Sequence, residues 1–336
     1  MSQSFARPSR ALAAVVAAVV LAACSSGNNR AQPPAAAAVT TPASSGATSP
    51  RSDETARFTI GNLSAVALRD GTLNFPNDNA VFGVGRTPGE VAAVLAAAGA
   101  PADSLHLSVQ PLLVKANDRV LLFDTGAGTN LGPGAGRLPN ALIAAGIDPR
   151  SVTDILISHA HGDHVGGLVN ADGSLVFPNA TIHLSAPAWA YLKGMDAETA
   201  RNVAITRPRE LVAAITAKVA TFAPGSEIIP GVVKAVEIRG HSPGHSGYLI
   251  TSGRESLFYI GDALHHYVIS VQKPEWPNSF DSDTSLAAAS RLALLEQSAA
   301  TGQRLYAVHL PFPGIGRIEK RSGGFLWVPE RVIANR

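Results

Sequence analysis

The amino-acid sequence predicts an α/β fold, and three observations carry that expectation. Short apolar runs of strand length recur along the chain, among them residues 119–123, 154–157 and 257–260. Between them lie stretches of helix-forming composition closed by glycine or opened by proline, such as 88–98 and 138–145. Of 336 residues, 46% are hydrophobic and 15% charged, enough for a full core in one large domain or two small ones.

The first residues read as a processing signal. Arg7 and Arg10 precede an uncharged apolar run over 11–23, shorter than the ~20 residues that a spanning helix needs. The run ends in Leu21-Ala22-Ala23-Cys24, which resembles the lipobox of bacterial lipoproteins. That resemblance implies removal of residues 1–23 and lipidation of Cys24, with Ser25 similar to the form sorted to the outer membrane and facing the periplasm. An ordinary export signal with a cysteine at its end is the alternative. Cys24 is the only cysteine, so neither an intramolecular disulfide nor a cysteine metal ligand is available. Losing 1–23 removes two of the 27 basic residues and leaves 25 against 25 acidic ones. A neutral chain without a basic run gives no electrostatic case for nucleic acid, and membrane attachment would come from acyl chains alone. Residues 24–56 are Ala, Pro, Ser, Thr and Gly with almost no large apolar side chain; they predict a flexible tether, with the folded domain over 57–336.

From Arg57 the elements follow in order. Phe58, Ile60, Val66 and Leu68 read as strand, turning at Asp70-Gly71. Residues 77–85 are turn-rich, and 88–98 form a helix with Pro88 in its first turn and Gly99 as terminator. Residues 105–114 and 119–123 read as two strands around the turn Asn117-Asp118. The glycine-rich stretch 131–137 is no phosphate cradle, because no Lys-Ser/Thr follows it. A helix over 138–145 stops at Gly146, and 154–157 is a buried strand. Residues 180–184 are a strand carrying His183, which reads as packed rather than ligating. Trp189 and Tyr191 follow in 187–193; helices are expected within 197–219, broken at Arg207-Pro208. Strand character returns at 228–238, 248–251 and 257–260, a helix at 283–297, and a last strand at 304–308.

Four potential metal ligands fall within six residues in Ser158-His159-Ala160-His161-Gly162-Asp163-His164, on the loop leaving strand 154–157. His159 and His161, two apart on an extended loop, point the same way and can grip one ion. Asp163 and His164, beyond the flexible Gly162, can turn towards a second. Imidazoles with a carboxylate suit zinc-like borderline cations, and two adjacent ions need a bridging group. A second constellation, Gly240-His241-Ser242-Pro243-Gly244-His245, lies on a turn. The strand 257–260 runs into Gly261-Asp262, where a buried carboxylate is costly unless paired or metal-bound.

The run His-Ala-His-Gly-Asp-His resembles the HxHxDH signature of the metallo-β-lactamase superfamily, and the chain is most similar to its methyl parathion hydrolase and lactonase branch. The resemblance covers roughly residues 57–329, with motifs spread over about 150 of them. It implies an αββα sandwich of two mixed sheets flanked by helices. It further implies that His159, His161 and His241 hold one zinc, that Asp163, His164 and His309 hold another, and that Asp262 bridges them. His309 begins the string His-Leu-Pro-Phe-Pro-Gly, similar to the C-terminal histidine segment of methyl parathion hydrolase. Asp124-Thr125-Gly126 resembles the DTG beneath the family's metal site, where Asp124 would orient backbone or ligands, or else simply cap a strand end. Trp189 is placed either in the substrate pocket or in the core. His245 would support its loop or line the pocket. His265 stands where lactonase relatives carry a tyrosine; it would polarise a substrate oxygen or line the mouth.

The activity so implied is hydrolysis of ester-like bonds, phosphotriester or lactone, by a metal-bridging hydroxide that Asp163 and Asp262 help to hold. Other divalent transition metals fit the same ligands, and relatives suggest a homodimer. Lactam, thioester or phosphodiester hydrolysis stays open, as does a non-catalytic lipoprotein that binds metal or a ligand. No Gly-x-Ser-x-Gly elbow argues for a covalent route.

Overall fold

The computed structural model describes residues 54–332. The signal segment, Cys24 and nearly all of the tether lie outside the described residues. Strands β1 (Thr55–Ile60) and β2 (Leu63–Leu68) form a hairpin turning at Gly61, whose φ of +55° suits glycine. Next come β3 (Gly71–Pro76), α1 (Pro88–Ala97), β4 (Ser104–Val109), β5 (Leu112–Ala116) and β6 (Arg119–Phe123). Helix α2 (Leu138–Ala145) precedes β7 (Asp154–Leu156), the single turn α3 (Gly162–Val165) and β8 (Thr181–Ser185). Helices α4 (Ala186–Lys193), α5 (Ala197–Asn202) and α6 (Pro208–Ile215) then lead to β9 (Val219–Phe222). The second half runs β10 (Glu227–Ile229), β11 (Val233–Glu237), β12 (Ser246–Ser252), β13 (Glu255–Tyr259), α7 (Ile269–Gln272) and α8 (Thr284–Thr301). It closes with β14 (Leu305–Tyr306), β15 (Ile315–Arg321) and β16 (Gly324–Pro329).

Two mixed sheets result, ordered β1-β2-β5-β6-β7-β8-β9 and β10 through β16 in sequence. Alternation along the strands explains how they stack. Leu121 and Phe123 of β6 join Tyr248, Ile250, Tyr259 and Tyr306 between the sheets, whereas Leu122 faces outward onto Leu138 and Leu142 of α2 and Leu192 of α4. Leu294 and Leu295 of α8 cover the outer face of the second sheet. This is the αββα sandwich that the resemblance implied. Each fully buried Leu or Ile in these layers contributes about 1.5–3 kcal/mol. Among the described residues, no helix is long and apolar enough to cross a membrane.

Several boundaries differ from the sequence reading. Strand 105–114 is two strands in different sheets: β4 pairs with β3 in a separate ribbon, and β5 joins the first sheet. The break falls at Gln110-Pro111, where proline offers no N–H and the Gln110 amide donates to the carbonyls of Ala307 and Leu310. The first strand begins at Thr55, and β3, β15 and β16 carried no strong alternation to announce them. Helix α8 extends four residues past 297, from an Asp283 cap to a left-handed Gly302.

Asp154, buried at the start of β7, accepts from Arg119 Nη1 (2.9 Å) and Thr153 Oγ1 (2.7 Å) and pairs with His183 Nε2 (2.9 Å). Burial pushes this carboxyl up, but the hydrogen bonds from His183, Thr153 and Arg119 outweigh it and hold it below the ordinary range. A lowered folded-state pKa stabilises above the unfolded value, and the contribution fades as pH falls through the folded one. Asp154→Asn is therefore expected to lower the melting temperature at pH 7, with the gap to wild type closing as the buffer is taken below the carboxylate range. A gap independent of pH would remove the ionic explanation.

Candidate metal centre

The seven side chains singled out in the sequence come from four separated loops at the ends of strands. His159 and His161 follow β7, and Asp163 and His164 lie on α3, so the expected turn is one helical turn. His241 sits between β11 and β12, Asp262 on the short 3-10 turn after β13, and His309 just beyond β14. Backbone-to-backbone packing holds the first loop: a Cβ on Gly166 or Gly167 would fall 2.0 Å from the carbonyl oxygen of Ala127 or Thr125. Only glycine permits that approach. Gly261, at φ +50°, is pressed in the same way against His245 Nε2 and Ser158.

Two groups form. His159, His161 and His241 converge with Asp262, and Asp163, His164 and His309 converge beside them; within each group the ligand atoms lie within 4.8 Å of one another. His241 Nε2 is 3.1 Å from His159 Nε2 and 3.2 Å from His161 Nδ1. Asp262 lies between the groups, with Oδ2 3.2 Å from His309 Nε2 and 3.4 Å from His241 Nε2, and Oδ1 3.1 Å from His164 Nε2. Asp163 completes the second group, 3.5 Å from His309 Nε2 and 3.6 Å from His164 Nε2.

These separations fit a metal. Four nitrogens about 2.0–2.1 Å from a tetrahedral ion stand about 3.3 Å apart, close to the spacing within the first group. His164 Nε2 and Asp262 Oδ1 are buried without a hydrogen-bond partner, which a protein tolerates where a cation satisfies them. Burial, reinforced by His164 for one ring and by His241 for the other, holds His159 and His161 well below the imidazole range. Both are neutral, the form that donates a lone pair. Burial raises Asp262, but His164, His309 and His159 outweigh it and keep the carboxylate ionised. Burial works against protonating His164 and His309, yet Asp262 and then Asp163 push both upward, so a cation would displace protons there.

Four of the five outward ring nitrogens are also held, the exception being His161 Nε2, which is buried without a hydrogen-bond partner. His164 Nδ1 is 2.7 Å from Asp124 Oδ2, His159 Nδ1 is 3.0 Å from Ser158 Oγ, His309 Nδ1 donates to Ser108 O (2.7 Å), and His241 Nδ1 is 3.0 Å from Asp281 Oδ1. Such partners fix tautomer and ring orientation. Asp124 thus lies under the site and touches a candidate ligand, beyond capping a strand. His245 supports its loop: Nδ1 bonds Ile238 O (3.0 Å) while Nε2 accepts from the Asp262 N–H (3.0 Å). Burial lowers its pKa to about 3, so the neutral ring performs both. The sequence reading missed Ser108, Asp281 and Tyr259, whose hydroxyl donates to Asp124 Oδ2 at 2.7 Å. No motif marks them, since each matters only through a contact between distant segments.

A cavity of about 150 Å³ opens on the cluster, lined by His161, Asp163, Asp262, His265 and His309 and walled by Leu73, Phe75, Leu107, Leu131, Val203 and Phe280. His265 belongs to it; its Nε2 is 3.2 Å from Asp262 Oδ2 without hydrogen-bond alignment, and its ring stacks on His309 at 5.5 Å. Of the two places expected for Trp189, pocket or core, the second is the one seen. The side chain is not among the cavity's lining residues but packs on the outer core of the first sheet, with the Lys193 ammonium 5.4 Å from its ring centre. An aromatic on α4 serves that core, because α4 packs against β8 and β9 of the first sheet.

Two packed sheets with a buried His/Asp cluster at their strand ends define a metal-dependent hydrolase. The chain belongs to the metallo-beta-lactamase superfamily, whose family pattern matches residues 107–309. Among solved structures it is similar to AidC, described as a dizinc quorum-quenching lactonase in complex with the product N-hexanoyl-L-homoserine. The two are 30% identical, with 84% of this chain and 99% of AidC covered and a TM-score of 0.78. It is likewise similar to AbOPH, a hydrolase in the beta lactamase superfamily, at 28% identity, coverage of 83% and 98%, and TM-score 0.75. A probable metal-dependent hydrolase from Staphylococcus aureus shares the fold, at 18% identity, coverage of 82% and 100%, and TM-score 0.64. No curated protein matches the sequence.

Proposed function

We propose that this protein is a dinuclear zinc hydrolase of ester-like bonds, of the methyl parathion hydrolase and lactonase branch, acting on a small lactone or phosphotriester. The observation that carries the reading is a single cavity in which the His/Asp cluster faces an apolar wall. His159, His161 and His241 would hold one cation, Asp163, His164 and His309 the other, with Asp262 between them. Ions held there supply Lewis acidity, polarising the substrate oxygen and making water nucleophilic near neutral pH. The chain's own residues do the rest. Leu73, Phe75 and Phe280 receive an apolar substituent and keep bulk water out. Asp163 and Asp262 accept hydrogen bonds from the attacking water and orient it towards the substrate. Burial lowers His265, so its ring is neutral and can donate to a substrate oxygen in the place of the lactonases' tyrosine. The likeness to a lactonase at 30% identity favours the lactone among the candidates.

A substrate panel tests this. Full-length protein is expected to open N-acyl homoserine lactones or to cleave paraoxon-like phosphotriesters, to lose turnover on chelation, and to regain it with zinc. A protein carrying two zinc ions yet inert towards every ester would instead support a non-catalytic binding role.

A further inference from the structure

Of the four outward ring nitrogens that touch protein partners, His241 alone leans on a buried ion pair that continues into another part of the site. Asp281, 8% exposed, places Oδ1 3.0 Å from His241 Nδ1. Its Oδ2 accepts from Arg291 Nη2 at 2.7 Å and from Asn278 Nδ2 at 2.9 Å. Arg291, on α8 and 2% exposed, does not stop there. Its Nε donates to Ala263 O (3.2 Å), the carbonyl next after Asp262, and its Nη1 donates to Pro274 O (2.8 Å). One guanidinium therefore braces both the carboxylate behind His241 and the turn that carries Asp262. A charge this deep is costly unless it is paired and hydrogen-bonded, and here each of its three nitrogens has a partner.

We propose that Asp281 and Arg291 are positioning residues for the first cation. Asp281 accepts from the Nδ1–H tautomer of His241 and so turns the Nε2 lone pair inward, and Arg291 locks that carboxylate in register with Asp262. A single rigid unit then sets the distance between a terminal ligand and the bridging one. Neither residue is among the expected ligands, and neither touches the second group, where His164 leans on Asp124 and His309 on a backbone carbonyl. The inference rests on the two-cation reading, and the experiment separates the two.

Zinc stoichiometry and affinity are read by competition with a chromophoric chelator on the full chain, for wild type, Asp281→Asn and Asn278→Ala. Wild type binding two zinc ions upholds the underlying reading, and wild type binding none or one overturns both. Given two, Asp281→Asn is expected to weaken one zinc by about 10–100-fold and leave the other within a few-fold. Asn278→Ala, which removes one hydrogen bond from Asp281, gives a smaller loss at the same zinc and carries the test if Asp281→Asn does not fold. Two zinc ions bound as in wild type, or two weakened in parallel as a general loosening would do, overturn the positioning role.

Discussion

Asp262→Ala is expected to reduce kcat/KM by about 10³-fold or more while the fold survives. The scale follows from removing a charged, preorganised group at a reacting centre, where single deletions cost about 10²–10³-fold. Here the loss also breaks the contact between the two ligand groups, since among the described residues Asp262 is the one carboxylate within 3.4 Å of His241, His164 and His309 together. The fold should survive because the ligand loop is held by contacts that do not involve the Asp262 side chain, such as Gly166 and Gly167 against the carbonyls of Ala127 and Thr125. The measurement pairs metal analysis with steady-state kinetics and a melting curve. Wild-type rates with metal still bound would end the bridging assignment.

Asp124→Ala should act in the opposite way, chiefly on the fold. Asp124 is fully buried and accepts from Ser158 N, Ser158 Oγ and Tyr259 Oη, each at 2.7 Å, besides its 2.7 Å contact to His164 Nδ1. Burial, together with this carboxylate, keeps the Tyr259 phenol well above its ordinary pKa and therefore a donor. Alanine strands these partners and must adopt a φ of +57°, where the left-handed conformation costs about 1–2 kcal/mol without an Asx side chain. We expect a loss of about 3–5 kcal/mol in urea unfolding, the range for breaking a buried charged network. Asp124→Asn, which keeps the backbone preference and one acceptor, should lose less. An alanine variant within about 0.5 kcal/mol of wild type, as an ordinary surface change would be, would show that Asp124 is not the hub it resembles.

By itself the sequence determined which side chains are metal-ligand candidates and, through its resemblance to a family, the layering of this protein. The ligands on 159–164 lie close together along the chain, so their spacing alone puts them on one loop, and the remaining three stand at strand ends that local hydrophobicity reveals. The apolar run Leu121-Leu122-Phe123 reads as a strand, while the two sheets with helices outside them were implied by the resemblance and are seen in the packing on both faces of β6. Tertiary structure decided what depends on contacts between distant segments. Residues 105–114 look like one strand because apolar periodicity is local, whereas the break at Gln110 is made by carbonyls about 200 residues away. Trp189 carries equal hydrophobic weight in a pocket or a core, and only the packing of α4 assigns it to the core. Asp281, Arg291 and Ser108 have no distinguishing pattern at all. A hydrogen bond between remote residues leaves no period in a sequence, so the supports of the site became legible only once the chain was folded.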